Sequence, residues 1–248
     1  MKTFGCGYQA LQFRVSTTLL LALLVGTHDA RALASVAGAC SSDGQPRPAR
    51  LIERFINADC SDCWQDPATP RTQPGDLALD WVVPGKKDED APLAAVASRE
   101  ALERLHAFGR QPPETTASSI QKVKGLARGS LRVAHGVALS GYIGVSLRFK
   151  PPTATSGAQN WTAWLALVES LPKGTENSPI PRNLVRNVFQ PLWNGLQTLS
   201  KKEHTVFFES RVMSIAPGAN PERLQLIGWV EDARGEVVVA AQSACRQP

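Results

Sequence analysis

The chain lacks most of the signatures that tie a sequence to a known chemistry. It contains no G-x-S-x-G, no phosphate-binding glycine loop and no G-x-G-x-x-G, so the common hydrolase, nucleotide and dinucleotide machinery is absent. His106, His135 and His204 stand at spacings, among themselves and with the cysteines, that match no zinc motif, and each reads as a structural or surface residue. Neither a metal nor a cofactor is implied. Basic residues do not cluster with aromatics. The 27 Lys and Arg against 22 Asp and Glu leave a formal charge of +5, too dilute for a nucleic-acid binder. Apolar runs are short: none reaches the roughly 20 residues needed to cross a bilayer. There is no repeat at a fixed period and no heptad pattern. With 43% hydrophobic and 20% charged residues over 248 positions, the composition is that of a folded protein.

The amino end reads as an address. Lys2 and Arg14 precede an apolar run over residues 15–26, and Ala32-Leu33-Ala34 supplies an A-x-A cleavage pattern. Residues 1–34 are therefore expected to be a secretory signal peptide cleaved after Ala34. The mature chain would be periplasmic or secreted and would not span the membrane.

Removing that segment discards Cys6 and leaves Cys40, Cys60, Cys63 and Cys245. An even count in an exported protein favours disulfides, and three pairings are formally possible. Two residues separate Cys60 from Cys63, a loop that commonly closes as a local bridge, and elimination then joins Cys40 to Cys245 as a structural disulfide. Closing so long a loop is worth on the order of 4 to 5 kcal/mol in the chain-entropy model. The alternative is a pair of free thiols on frayed ends.

Residues 50–58 (RLIERFINA) read as a strand with Leu51, Ile52, Phe55 and Ile56 as core candidates, running straight into Cys60. Pro67, Pro70 and Pro74 limit any helix starting at the cysteines to barely one turn. A second strand is predicted over 77–83. A polar loop carrying Lys86, Lys87, Asp88, Glu89 and Asp90 follows it, and then a helix over 99–108 capped by Ser98. Residues 110–119, rich in Pro, Ser and Thr, read as a linker. Beyond it, strands are predicted over 131–139, 142–149, 161–169, 205–212, 224–230 and 236–241, with a hairpin turn at 231–235. Residues 183–192 fit a buried strand slightly better than a helical stripe. Six strands with turns between them suggest a sandwich or open barrel.

The one motif with a mechanism is Cys60-Ser61-Asp62-Cys63, placed directly after a predicted strand, where a redox pair is found in thioredoxin-like folds. A working exchange cysteine needs its thiolate stabilised by a helix amino end or a cation. Here Asp59, Asp62 and Asp66 surround the pair instead, so the thiol pKa is expected to rise. The pair should rest as a disulfide and be a poor oxidant of other proteins. A structural bridge remains the competing reading. Trp64, rather than histidine, follows Cys63 and excludes haem attachment.

Taken in order, LIERFINADCSDC, LALDWVVP with APLAAVASREALERL, ENSPIPRNLVRNV and LIGWVEDARGEVVVAA resemble a family of exported bacterial proteins of uncharacterised function. In that family a thioredoxin-like amino half, with a C-x-x-C pair after a strand, precedes a β-rich carboxyl half. The resemblance implies an α/β thioredoxin-like domain over residues 35–125 and a β-rich, sandwich-like domain over 126–248. It places the redox pair at Cys60 and Cys63 and implies a proline facing them, with Pro92, Pro112 and Pro113 as candidates.

Two functions follow as expectations. One is a thiol-disulfide oxidoreductase, or a degenerate relative, in which Cys60 attacks and Cys63 resolves, and whose partners are protein thiols. The other is a non-enzymatic binding or interaction module with Cys60–Cys63 as a brace. Trp161, Trp164, Trp193 and Trp229 would then be available for contact with a protein partner.

Overall fold

Period-two alternation is clearest in one strand of this fold. In the strand Tyr142–Lys150, Ile143, Val145, Leu147 and Phe149 are buried while Tyr142, Gly144 and Arg148 face solvent, the pattern of a strand with one wet face. The computed structural model describes residues 40–152, 160–193 and 206–245. The proposed signal segment 1–34 and His204 lie outside them. In chain order the elements are β1 (Cys40–Ser41), β2 (Arg50–Asn57), β3 (Asp76–Val83), α1 (Arg99–Ala107), β4 (Thr116–Lys122), β5 (Ser130–Leu139) and β6 (Tyr142–Lys150). They continue as β7 (Thr162–Leu171), β8 (Arg182–Phe189), β9 (Phe207–Ser214), β10 (Leu224–Glu231), β11 (Val237–Gln242) and β12 (Ala244–Cys245). Among the described residues no helix is long and apolar enough to cross a membrane.

The strands form two sheets, one of order β11-β10-β7-β8-β3-β2-β4 and one of order β12-β1-β5-β6-β9. In the larger sheet β3 runs parallel to β2 and β8, and the other pairings are antiparallel. Strands β2, β3, β7 and β10 of this sheet are buried on both faces, which is why β3 and β7 read as nearly continuous apolar runs. One face carries α1, with Leu105 and Ala101 against Phe55, Trp81, Trp164 and Trp229. The opposite face is covered in two parts. Val133, Leu147 and Phe149 of the smaller sheet pack on Leu165, Leu226 and Val230, while Cys63, Trp64 and Ala91 pack on Ile56, Val82 and Leu184. The sheets approach closely at Gly228 of β10, where a Cβ would lie 2.6 Å from the Val133 side chain.

The carboxyl half is β-rich, as the sequence predicts, and α1 starts where expected, with Ser98 Oγ accepting the Ala101 N–H at 3.2 Å. The expected α/β thioredoxin-like amino half is not present. The described residues hold one α-helix, and β2 and β3 are joined not by a helix but by a segment with a single 3-10 turn, Asp62–Gln65. The proline run removes the donors a longer helix would need. Strands β2 and β3 instead belong to a sheet whose next member, β8, comes from the carboxyl half. The predicted linker is also corrected, because Thr116–Lys122 is a strand, paired antiparallel with β2. With β2 buried on both faces, its outer backbone groups require partners, and β4 supplies them.

Under α1 lies a buried charge cluster. The Arg104 guanidinium donates to Glu53 at 2.8 and 2.7 Å and reaches Glu231 at 2.7 Å, and its charge stacks 4.2 Å from the Phe108 ring centroid. Burial alone would lower its pKa, but Glu53 and Glu231 outweigh burial and hold it above the ordinary arginine value. Replacing Arg104 with Met strands two carboxylates in the core, so Arg104→Met is expected to lower stability by about 3–5 kcal/mol. Urea unfolding at neutral pH reads the loss as a lower midpoint.

Candidate functional site

The cysteine turn begins where β2 ends. Asn57 organises it: its Nδ2 donates to the Pro113 carbonyl at 2.8 Å, its Oδ1 accepts the Asp59 N–H at 2.8 Å, and its own carbonyl accepts the Cys60 N–H at 3.1 Å. Cys60 and Cys63 are joined as a disulfide across a Cα–Cα distance of 5.5 Å. Cys60 is half-buried, Ser61 and Asp62 are exposed, and Cys63 is 7% exposed within the cluster around Trp64.

The acidic surroundings expected from the sequence take a definite form. Asp59 accepts the backbone N–H groups of Lys86 and Lys87 at 2.8 and 3.2 Å, so this carboxylate ties the turn to the loop after β3. Asp62 accepts from the Ser61 hydroxyl at 3.2 Å, and Asp66 accepts the Ala68 N–H at 2.8 Å. The 3-10 turn that carries Cys63 is four residues long with an acidic residue at its start, too short to offer a sulfur a useful macrodipole.

What fixes the turn against the sheet is a second buried charge cluster, and sequence reasoning missed it. Arg182 donates to the Trp64 carbonyl at 2.6 Å, to Ser178 Oγ at 2.9 Å and to Asp80 Oδ1 at 3.0 Å, with its charge 4.8 Å from the Trp64 ring centroid. Asp80 also accepts from Arg54 at 2.7 Å and from the Asn183 N–H at 2.8 Å. Arg54 in turn holds the Pro70 carbonyl at 3.1 Å. Burial pushes the Arg54 guanidinium down from its ordinary value, and the positive charge of Arg182 adds to that against the pull of Asp80. The available signal was Arg54 and Asp80 sitting inside apolar runs. A charged residue there marks either a wet face or a buried pair, and no period distinguishes them.

The second disulfide joins Cys40 to Cys245, 205 positions apart. Cys40 pairs directly with Cys245 on β12 and with His135 on β5, so the three residues stand in one row across adjacent strands. His135 is 6% exposed. Its Nδ1 lies 2.9 Å from the Gly136 carbonyl, and its Nε2 is buried without a hydrogen-bond partner. Burial lowers the His135 pKa, the hydrogen bond to Gly136 opposing it. His106 is exposed on α1. Trp164 and Trp229 stack in the core and donate to Glu231, whereas Trp161 and Trp193 flank Phe149 in a half-buried aromatic group.

Removing the Asp80 carboxylate leaves two buried guanidinium groups without their shared counter-ion. Asp80→Ala is expected to cost about 3–5 kcal/mol, read as a lower urea midpoint. In limited proteolysis the segment 66–75 should be cut sooner than in the parent protein, because Trp64 and Pro70 lose their anchors.

No protein-family model matches the chain, and no curated protein matches it in sequence. Among solved structures it is similar to HBP35 of Porphyromonas gingivalis, with a TM-score of 0.50 at 10% identity over 79% of this chain and 74% of that one. At that identity the likeness concerns the fold alone.

Proposed function

We propose that this protein carries out thiol-disulfide exchange at Cys60–Cys63 and rests in the oxidised state. The reading is carried by the unequal burial of the two cysteines. Cys60 stands half-exposed at the mouth of a turn, and Cys63 is 7% exposed behind it. A thiolate of a partner dithiol attacks Cys60 Sγ, the sulfur–sulfur bond breaks, and the electron pair leaves on Cys63 Sγ, which takes up a proton. The partner's second thiol then attacks the mixed disulfide at the partner's own sulfur. The partner leaves as a disulfide and Cys60 is released as a thiolate.

The surroundings set the direction of this exchange. Asp59, Asp62 and Asp66 disfavour thiolates, and the four-residue 3-10 turn that carries Cys63 is too short to offset them. The reduced pair is therefore the higher-energy state, so once loaded with electrons it acts as a reductant of other disulfides. With residues 1–34 read as an export signal, that exchange takes place outside the cytoplasm, on protein thiols.

A second reading, an interaction module braced by both disulfides, is favoured by the outer face of the smaller sheet. Val137, Leu139, Tyr142, Phe208 and Val212 there are between 49% and 74% exposed, more apolar surface than a wet sheet face needs. One experiment separates the two. The protein is equilibrated in graded dithiol buffers, its thiols are trapped, and Cys60 and Cys63 are read by peptide mass. Exchange predicts a potential near that of thioredoxin, about −270 mV, and a mixed disulfide that accumulates in Cys63→Ser but not in Cys60→Ser. A potential below about −300 mV, or a pair that cannot be reduced while folded, overturns exchange and leaves the interaction module.

A further inference from the structure

The row Cys245–Cys40–His135 brings two sulfurs and an imidazole together. A ring nitrogen of His135 and the Sγ atoms of Cys40 and Cys245 all lie within 4.8 Å of one another. Tetrahedral zinc, with Zn–S near 2.3 Å and Zn–N near 2.0–2.1 Å, spaces its ligand atoms by roughly 3.5 to 4 Å. The sulfurs reach that spacing by side-chain rotation once the bond between them is broken. The pleat places all three on one face, because Cys40 is the direct register partner of both others.

The histidine is already set as a ligand. A carbonyl only accepts, so the contact with Gly136 at 2.9 Å puts the proton on Nδ1 and leaves the lone pair on Nε2. A hydrogen bond from the other ring nitrogen to a backbone carbonyl is the one metal-bound histidines commonly make. Nε2 is the buried atom without a partner, in a residue 6% exposed. A polar nitrogen buried in this way costs free energy in the oxidised protein, and a metal ion would satisfy it.

We propose that reduction of Cys40–Cys245 opens a Cys2His site for a zinc-class divalent cation, with water in the fourth position. The reductant is a dithiol: it delivers two electrons and two protons to the bridge and leaves as its own disulfide. The cation then displaces the two thiol protons and binds both thiolates and Nε2. Cys245 is exposed while Cys40 is 4% exposed, so attack starts from Cys245. The site is independent of the exchange reading at Cys60–Cys63 and does not fall with it.

The test uses the full chain with Cys6, Cys60 and Cys63 replaced by Ser, so that the only thiols are those of the row. After reduction with a phosphine, Co(II) is titrated in and followed by absorption. The expected result is one Co(II) per chain, with tetrahedral d–d bands and a thiolate charge-transfer band, both absent before reduction. His135→Ala should weaken Co(II) binding by about tenfold or more, the scale on which losing even a supporting partner acts. Zn(II) should also protect Cys40 and Cys245 from alkylation in the parent chain, a readout that survives if the histidine variant folds poorly. No charge-transfer band after reduction, equal affinity in His135→Ala, no protection by Zn(II), or loss of strand content by circular dichroism on reduction would each overturn the proposal.

Discussion

Asp80, fully buried in the middle of β3, is the group on which the placement of the cysteine turn depends. Its two oxygens serve Arg54 from β2, Arg182 from β8 and the Asn183 N–H, so one carboxylate ties together the three parallel strands of the larger sheet. Arg182 passes that constraint to the Trp64 carbonyl, one residue after Cys63, and Arg54 passes it to Pro70. The turn is thus held by its backbone carbonyls, which suits a segment whose prolines forbid helical hydrogen bonding.

The two charged clusters balance each other across the sheet. Arg54, Arg182 and Asp80 sum to +1 on one face; Arg104, Glu53 and Glu231 sum to −1 on the other. Adjacent residues of a strand point to opposite faces, so Glu53 and Arg54 place their charges on the two sides of β2. Each surplus charge is spread over neutral dipoles. The carbonyls of Trp64 and Pro70 accept from the arginines, and the indole N–H groups of Trp164 and Trp229 donate to Glu231 at 3.2 and 3.1 Å. Buried charge without such partners would cost several kcal/mol per ion, which explains why both clusters are dense in hydrogen bonds.

Local chemistry was legible in the sequence and long-range placement was not. Strand-forming residues bounded by turns announced β5 and β6, Ser98 announced the start of α1, and Pro67, Pro70 and Pro74 announced that little helix could follow the cysteines. That last signal argued against a thioredoxin-like half, while the resemblance argued for one, and the prolines prevail in the structure. Residues 110–119 read as a linker because their Pro, Ser and Thr suit solvent, yet the edge strand Thr116–Lys122 that overlaps them also faces solvent on one side. Elimination joined Cys40 to Cys245, as the structure has them, but nothing in the spacing placed His135 beside them, because its strand β5 is far from both in sequence.

The two bridges do different physical work, and this bears on what reduction does to the fold. In the chain-entropy model, closing a loop of 205 residues is worth about 5 kcal/mol, and closing one as short as that between Cys60 and Cys63 is worth roughly a third of that. Opening Cys60–Cys63 therefore perturbs little beyond its own turn, as a pair that cycles requires. Opening Cys40–Cys245 releases the tether between the first and last described strands, and β1 and β12 pair over only two residues each. A cation held by both thiolates closes the same loop that the disulfide closed. Structural zinc binding, at roughly 10–16 kcal/mol in small domains, exceeds the tether it would replace. His135, at the β5 end of the row, adds Nε2 as a third ligand, so the reduced ends remain joined through one metal atom with a further hold on β5.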